Sequence, residues 1–136
     1  MLMSKIPLLY SYRRCPYAMR ARMALVSAKI NCDVHEVDFK EKPAHMLELS
    51  PKGTVPVLVS VEGQVIDESL DIIYWALEQN DPESLLNKGA ASLIAENDDT
   101  FKSALDRYKY PNRFPDEDCF EARNQAEQFL QKLNDN

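Results

Sequence analysis

The sequence predicts an α/β fold, a mixed sheet covered by helices, followed by part of an all-helical domain. Three observations predict it. In residues 1–79, short apolar runs alternate with segments of helical periodicity in the order β-α-β-α-β-β-α. The pair Glu62-Gly63 lies between two of the apolar runs and reads as a hairpin turn. Beyond the helix breaker Asp81-Pro82-Glu83-Ser84, strand signals stop and only helical patterns remain. The chain therefore divides into an α/β domain over 1–79, a linker over 80–88 and a partial all-helical domain over 89–136.

Each element has a local reason. Residues 6–10 are short and apolar, as a buried strand is. Residues 14–30 carry Met19, Met23, Val26 and Ile30 at helical spacing, which predicts an amphipathic helix burying those side chains. Residues 32–37 read as a second strand and 43–49 as a short helix, stopped by the turn Ser50-Pro51-Lys52-Gly53. Residues 55–61 and 64–66 flank the hairpin turn. Residues 69–79 form a helix, with Asp67, Glu68 and Ser69 suited to a capped, acid-favouring start. This order implies two βαβ-type crossovers ahead of the hairpin. Two more helices are expected near 90–108 and 116–133, separated by Pro111 and Pro115.

Composition narrows the function classes. With 136 residues, 45% hydrophobic and 28% charged, the chain can build one real core. A net charge of −6 argues against nucleic acid as a partner. No apolar run approaches the roughly 20 residues of a membrane span, and the N-terminus lacks a secretory pattern. Three cysteines, none in a Cys-x-x-Cys pair, suit a reducing, cytoplasmic setting and offer no zinc site. The two histidines, His35 and His45, fit no ligand pattern, so no metal is expected.

The residue that points to chemistry is Cys15. It stands where the first strand hands over to the first helix, in the run Cys15-Pro16-Tyr17-Ala18. A cysteine there faces unpaired backbone N–H groups and the positive helix end, both of which favour the nucleophilic thiolate. Pro16 suits the first helical position. Arg13, Arg14, Arg20 and Arg22 gather around it and could attract a small anion, although a solvated basic face would read the same way. Simple packing of a small apolar residue is the alternative for an isolated cysteine.

Taken in order, Leu9-Tyr10-Ser11 leading into Cys15-Pro16-Tyr17-Ala18, then Val55-Pro56-Val57-Leu58, then Asp67-Glu68-Ser69, resemble the N-terminal domain of the glutathione transferase superfamily. More narrowly, they resemble the cysteine-type members, omega-like and glutaredoxin-2-like. The resemblance covers about residues 5–80, and the tail resembles the start of the family's helical domain. It implies a thioredoxin-like βαβαββα domain and glutathione as cosubstrate. It also implies Cys15 as nucleophile, with Ala18 where dithiol relatives have a second cysteine, so that only a monothiol cycle is open. It places the cysteinyl part of glutathione on the backbone of Val55, before a cis Val55–Pro56 bond. Ser69 would take the γ-glutamyl carboxylate, Glu68 its ammonium and Lys42 the glycyl carboxylate, with Tyr17 near the thiol. Because the family's bundle has more helices than this tail supplies, the sequence reads as a fragment or shortened form.

The function so implied is a glutathione-dependent thiol transferase or reductase acting on a small electrophilic or disulfide substrate, with a homodimer among its partners. Two alternatives stay open. One is conjugation, in which a nearby hydroxyl such as Ser11 or Tyr10 activates glutathione's own thiol. The other is a non-catalytic protein-binding module on the same fold.

Overall fold

The computed structural model describes residues 5–136, which divide into two compact units, the first ending at Lys88 and the second spanning Gly89–Asn136. In the first, β1 (Leu8–Ser11), α1 (Pro16–Ser27), β2 (Asp33–Glu36), α2 (Ala44–Leu49), β3 (Val57–Val59), β4 (Val65–Ile66) and α3 (Ser69–Gln79) follow in chain order. The sheet has four strands in the order β2-β1-β3-β4. β1 and β2 run parallel, with Leu9 opposite Val34, whereas β3 pairs antiparallel with both β1 and β4. The sheet is mixed, as expected, but it contains one parallel crossover rather than two. After the short α2, the turn at residues 50–53 sends the chain back antiparallel along β1.

Strand alternation splits the core in two. Leu9 and Leu58, opposite each other in register, pack with Ala21, Leu25, Ala28, Ile72, Ala76 and Leu77 of the α1–α3 side. Tyr10 and Val57, the next opposed pair, pack with Ala18, Val37, Met46 and Val55. The Tyr10 hydroxyl meets His45 Nδ1 at 2.6 Å, and its ring lies 5.3 Å from that of His35. Both histidines thus serve packing around a buried tyrosine.

Helix α1 corrects one expectation. Its buried face is Ala18, Ala21, Ala24 and Leu25, with Ala28 just beyond its end. Met19, Met23 and Val26 point outward, exposed by 42%, 72% and 77%. Alanines weigh little in a hydrophobic pattern, yet their small size is what lets α1 lie close to the sheet and α3. The helix ends at Ser27, and Lys29, at φ 58°, turns the chain so that Ile30 and Cys32 pack against the core.

The second unit consists of α4 (Ala91–Glu96), a π-helical segment (Asn97–Phe101), α5 (Lys102–Lys109) and α6 (Cys119–Asn134). Phe101 and Phe129 pack with ring centroids 4.9 Å apart, and Ala104, Ala122 and Ala126 are buried. Asp118 caps α6, accepting from the N–H of Phe120 at 2.9 Å and of Glu121 at 3.4 Å. The π segment has no signature in the sequence pattern.

Candidate functional site

Cys15 is the N-cap residue of α1, with extended backbone and Pro16 in the first helical turn. Its N–H donates to the Tyr12 carbonyl at 3.1 Å, and its carbonyl accepts from Met19 at 2.8 Å. The loop before it is pinned. Arg22 Nη1 donates to Ser11 Oγ at 2.6 Å and to the Tyr12 carbonyl at 3.3 Å, while Nη2 donates to the Arg13 carbonyl at 3.1 Å. The Arg13 N–H donates to Glu36 Oε1 at 2.8 Å. Arg22 therefore holds the loop that presents the cysteine, rather than standing open to an anion. No side chain caps α1, so the first-turn N–H groups are left facing the cysteine end.

The half-buried thiol points at the second motif. Cys15 Sγ lies 3.8 Å from the Val55 carbonyl oxygen, a long, weak thiol hydrogen bond. The Val55–Pro56 peptide is cis, and Pro56 precedes β3, where its missing N–H leaves the ladder intact. Both residues are buried.

The third motif opens α3. Glu68 occupies the N-cap position but makes no side-chain cap, contrary to expectation. The reason is competition from the turn at residues 50–53. Lys52 Nζ donates to Glu68 Oε1 and lies 3.8 Å from Asp67 Oδ2, and Ser50 Oγ donates to Asp67 at 2.7 Å. The hydrogen bond that Lys52 donates to Glu68 is the largest cause holding its ammonium above its ordinary range. Ser69, 4% exposed, accepts at Oγ from Arg20 Nε at 3.0 Å. The Arg20 guanidinium lies over the Tyr17 ring, 5.2 Å from its centroid. Lys42 lies 5.7 Å from the Phe39 ring and against Gly53, where an added β-carbon would come within 3.1 Å of its Nζ.

The structure thus joins Cys15 to Val55, Glu68 to Lys52, Ser69 to Arg20 and Lys42 to the turn that carries Lys52. The sequence marks Lys52 as part of a turn signal and Arg20 as part of a basic cluster, but it does not mark their partners. Cys32 is a contrasting thiol, raised above its ordinary pKa first by burial and then by Asp33. Among the described residues no group of three or more His, Cys, Asp or Glu could hold a metal, and no helix is long and apolar enough to cross a membrane.

Known proteins resemble this chain in sequence and in fold. The family model for the glutathione S-transferase N-terminal domain matches residues 9–85. A probable glutathione transferase of Aplysia californica is 38% identical over 71 residues, covering 52% of this chain and 75% of that protein. Glutathione S-transferase omega-1 of Rattus norvegicus is 38% identical over 77 residues, covering 57% of this chain and 32% of the rat protein. Glutathione S-transferase DHAR2 of Arabidopsis thaliana is 35% identical over 72 residues, covering 53% of this chain and 33% of that protein. The fold matches glutathione transferase Omega 3C from Trametes versicolor with a TM-score of 0.81 at 20% identity, over 97% of this chain and 59% of that one. The chain thus spans about a third of the length of the rat and Arabidopsis relatives. With the family model covering more than half of its residues, and a relative 38% identical over 75% of that protein's length, the chain belongs to the glutathione S-transferase family.

Proposed function

We propose that this protein is a glutathione-dependent thiol transferase or reductase in which Cys15 is a monothiol nucleophile. The observation that carries the reading is the Cys15 thiol at the uncapped start of α1, 3.8 Å from the Val55 carbonyl, with buried Ala18 where a resolving cysteine would stand. The Cys15 thiolate attacks the glutathionyl sulfur of a mixed disulfide. That S–S bond breaks, and the departing thiolate takes up a proton. The resulting Cys15–glutathione disulfide is attacked by the thiolate of a second glutathione, which releases glutathione disulfide and regenerates Cys15. Residues of the chain hold the tripeptide: Val55 and Pro56 through the backbone at its cysteinyl part, Ser69 at the γ-glutamyl carboxylate, Glu68 at the ammonium and Lys42 at the glycyl carboxylate. Tyr17 lines the thiol end. The positive end of α3, uncapped like α1, favours the carboxylate.

In this reading, residues 1–79 carry the site, 80–88 link, and 89–136 begin a helical domain. Three free cysteines suit a cytoplasmic setting, and the family resemblance supports a homodimer. The second substrate is a small disulfide or electrophile. Conjugation by hydroxyl activation is less well supported. Ser11 is fully buried, and the Tyr10 hydroxyl is engaged by His45 at 2.6 Å, so neither is presented to a sulfur. The test is glutathione-dependent reduction of a small glutathionyl mixed disulfide. Cys15→Ser is expected to lower the rate to that of the reaction without protein, while Cys32→Ser leaves it unchanged. Full activity in Cys15→Ser would overturn the proposal.

A further inference from the structure

We infer that Arg20 is a positioning residue that makes the site selective for a ligand carrying a free carboxylate at its γ-glutamyl end. The inference rests on the glutathione reading above and adds a residue that reading does not use. Arg20 lies in α1, a little over one turn beyond the Cys15 end, and reaches across to the first residue of α3. Its Nε donates to Ser69 Oγ at 3.0 Å. Its guanidinium rests over Tyr17, 5.2 Å from the ring centroid, which fixes the plane of the fork.

Two consequences follow from this geometry. First, the polarity of the Ser69 hydroxyl is set. A serine oxygen that accepts from a guanidinium N–H turns its own hydrogen away from that donor, and the cation strengthens the hydroxyl as a donor. The group offered at the start of α3 is then a donor, matched to a carboxylate and mismatched to an ammonium or a neutral methylene. Second, the spacing of the site is set. Arg20 and Cys15 share one rigid helix, so the carboxylate anchor and the thiol are held at a fixed separation along α1. A ligand bound at both ends is measured against that length. Because Ser69 is 4% exposed, its donor is costly to leave unpaired, and an analogue without the carboxylate is penalised for that reason also.

The test uses protection of Cys15 against iodoacetamide in the full chain, with Cys32 and Cys119 replaced by serine. S-methylglutathione serves as the probe because it carries no thiol of its own. An otherwise identical analogue, with γ-aminobutyrate in place of γ-glutamate, lacks the carboxylate and keeps the amino group. A second analogue, amidated only at the γ-glutamyl α-carboxylate, isolates the carboxylate. The parent protein is expected to need at least about tenfold more of the amidated analogue than of S-methylglutathione for half-protection, as for loss of a charge-assisted hydrogen bond. Arg20→Met is expected to remove that preference by weakening S-methylglutathione alone, leaving half-protection by the amidated analogue where it was. Arg20→Lys, which keeps the charge, should recover part of the preference. An unchanged preference in Arg20→Met would overturn the inference and leave the glutathione reading standing. Should Arg20→Met fail to fold, equal protection of the parent protein by S-methylglutathione and its amide would overturn the inference without that variant. No protection of the parent protein by S-methylglutathione would overturn both.

Discussion

Cys15 and Cys32 are both half-buried thiols in the first unit, but their surroundings differ in kind. Cys15 stands at the positive end of a helix with its sulfur near a carbonyl, whereas Cys32 packs against the core beside Asp33. Burial raises Cys32 above the usual thiol range and Tyr10 above the usual phenol range, and the bond to Glu68 raises Lys52. A group whose folded pKa is raised holds its proton more tightly in the native state. Its contribution to stability is complete below its unfolded pKa and is lost as pH rises through the folded value. For Cys32 that loss begins above about 8.5, and for Tyr10 and Lys52 above about 10. Urea midpoints measured from pH 7 to 10.5 should therefore fall on the alkaline side. Cys32→Val should flatten the earliest part of the fall; an equally steep fall in that variant would refute the assignment. At this scale Cys15, Val55, Pro56, Glu68 and Ser69 were legible because their motifs are contiguous in sequence. Arg20 and Lys52 were not, because their partners lie 49 and 16 positions away, and only the packing of α1 and the turn at residues 50–53 against the start of α3 brings them together.

Helix α1 shows how periodicity can be right about an element and wrong about its face. The spacing of Met19, Met23 and Val26 marks a real stripe, but the stripe points outward, and the alanines with Leu25 meet the core. The energetic consequence is sharp. Leu25→Ala should cost about 2–5 kcal/mol, as truncation of a buried leucine does. Met23→Lys, at a position 72% exposed, should stay within about 0.5 kcal/mol. Both are read by urea denaturation, and a larger cost for Met23→Lys would reverse the assignment of faces. The extent of α3, Ser69–Gln79, was readable because its cap region, periodicity and following breaker agree. The direction of β3 was not. A short helix and a turn can return a strand parallel or antiparallel, and pairing with β1 decides between them. The cap of α3 failed for a similar reason, since a lysine and a serine from the preceding turn took the acidic side chains that would have capped it.

At the scale of the molecule, every residue assigned to the site lies within the first unit, and four separate segments supply them: the start of α1, the loop before α2, the residues leading into β3 and the start of α3. That placement is why a chain that covers 32% of the rat omega-1 protein can carry all of the proposed glutathione contacts. The helical second unit has its own small aromatic and alanine core, with Arg107 bridging to Glu117 and Gln125. In the proposed reaction Cys15 forms and releases a disulfide with glutathione. The most direct measurement is to treat the protein with oxidised glutathione, digest it and map the adduct by mass spectrometry. One glutathionyl group is expected, on Cys15, removed by reduced glutathione and missing from Cys15→Ser. An adduct confined to Cys32 or Cys119, with Cys15 unmodified, would contradict it.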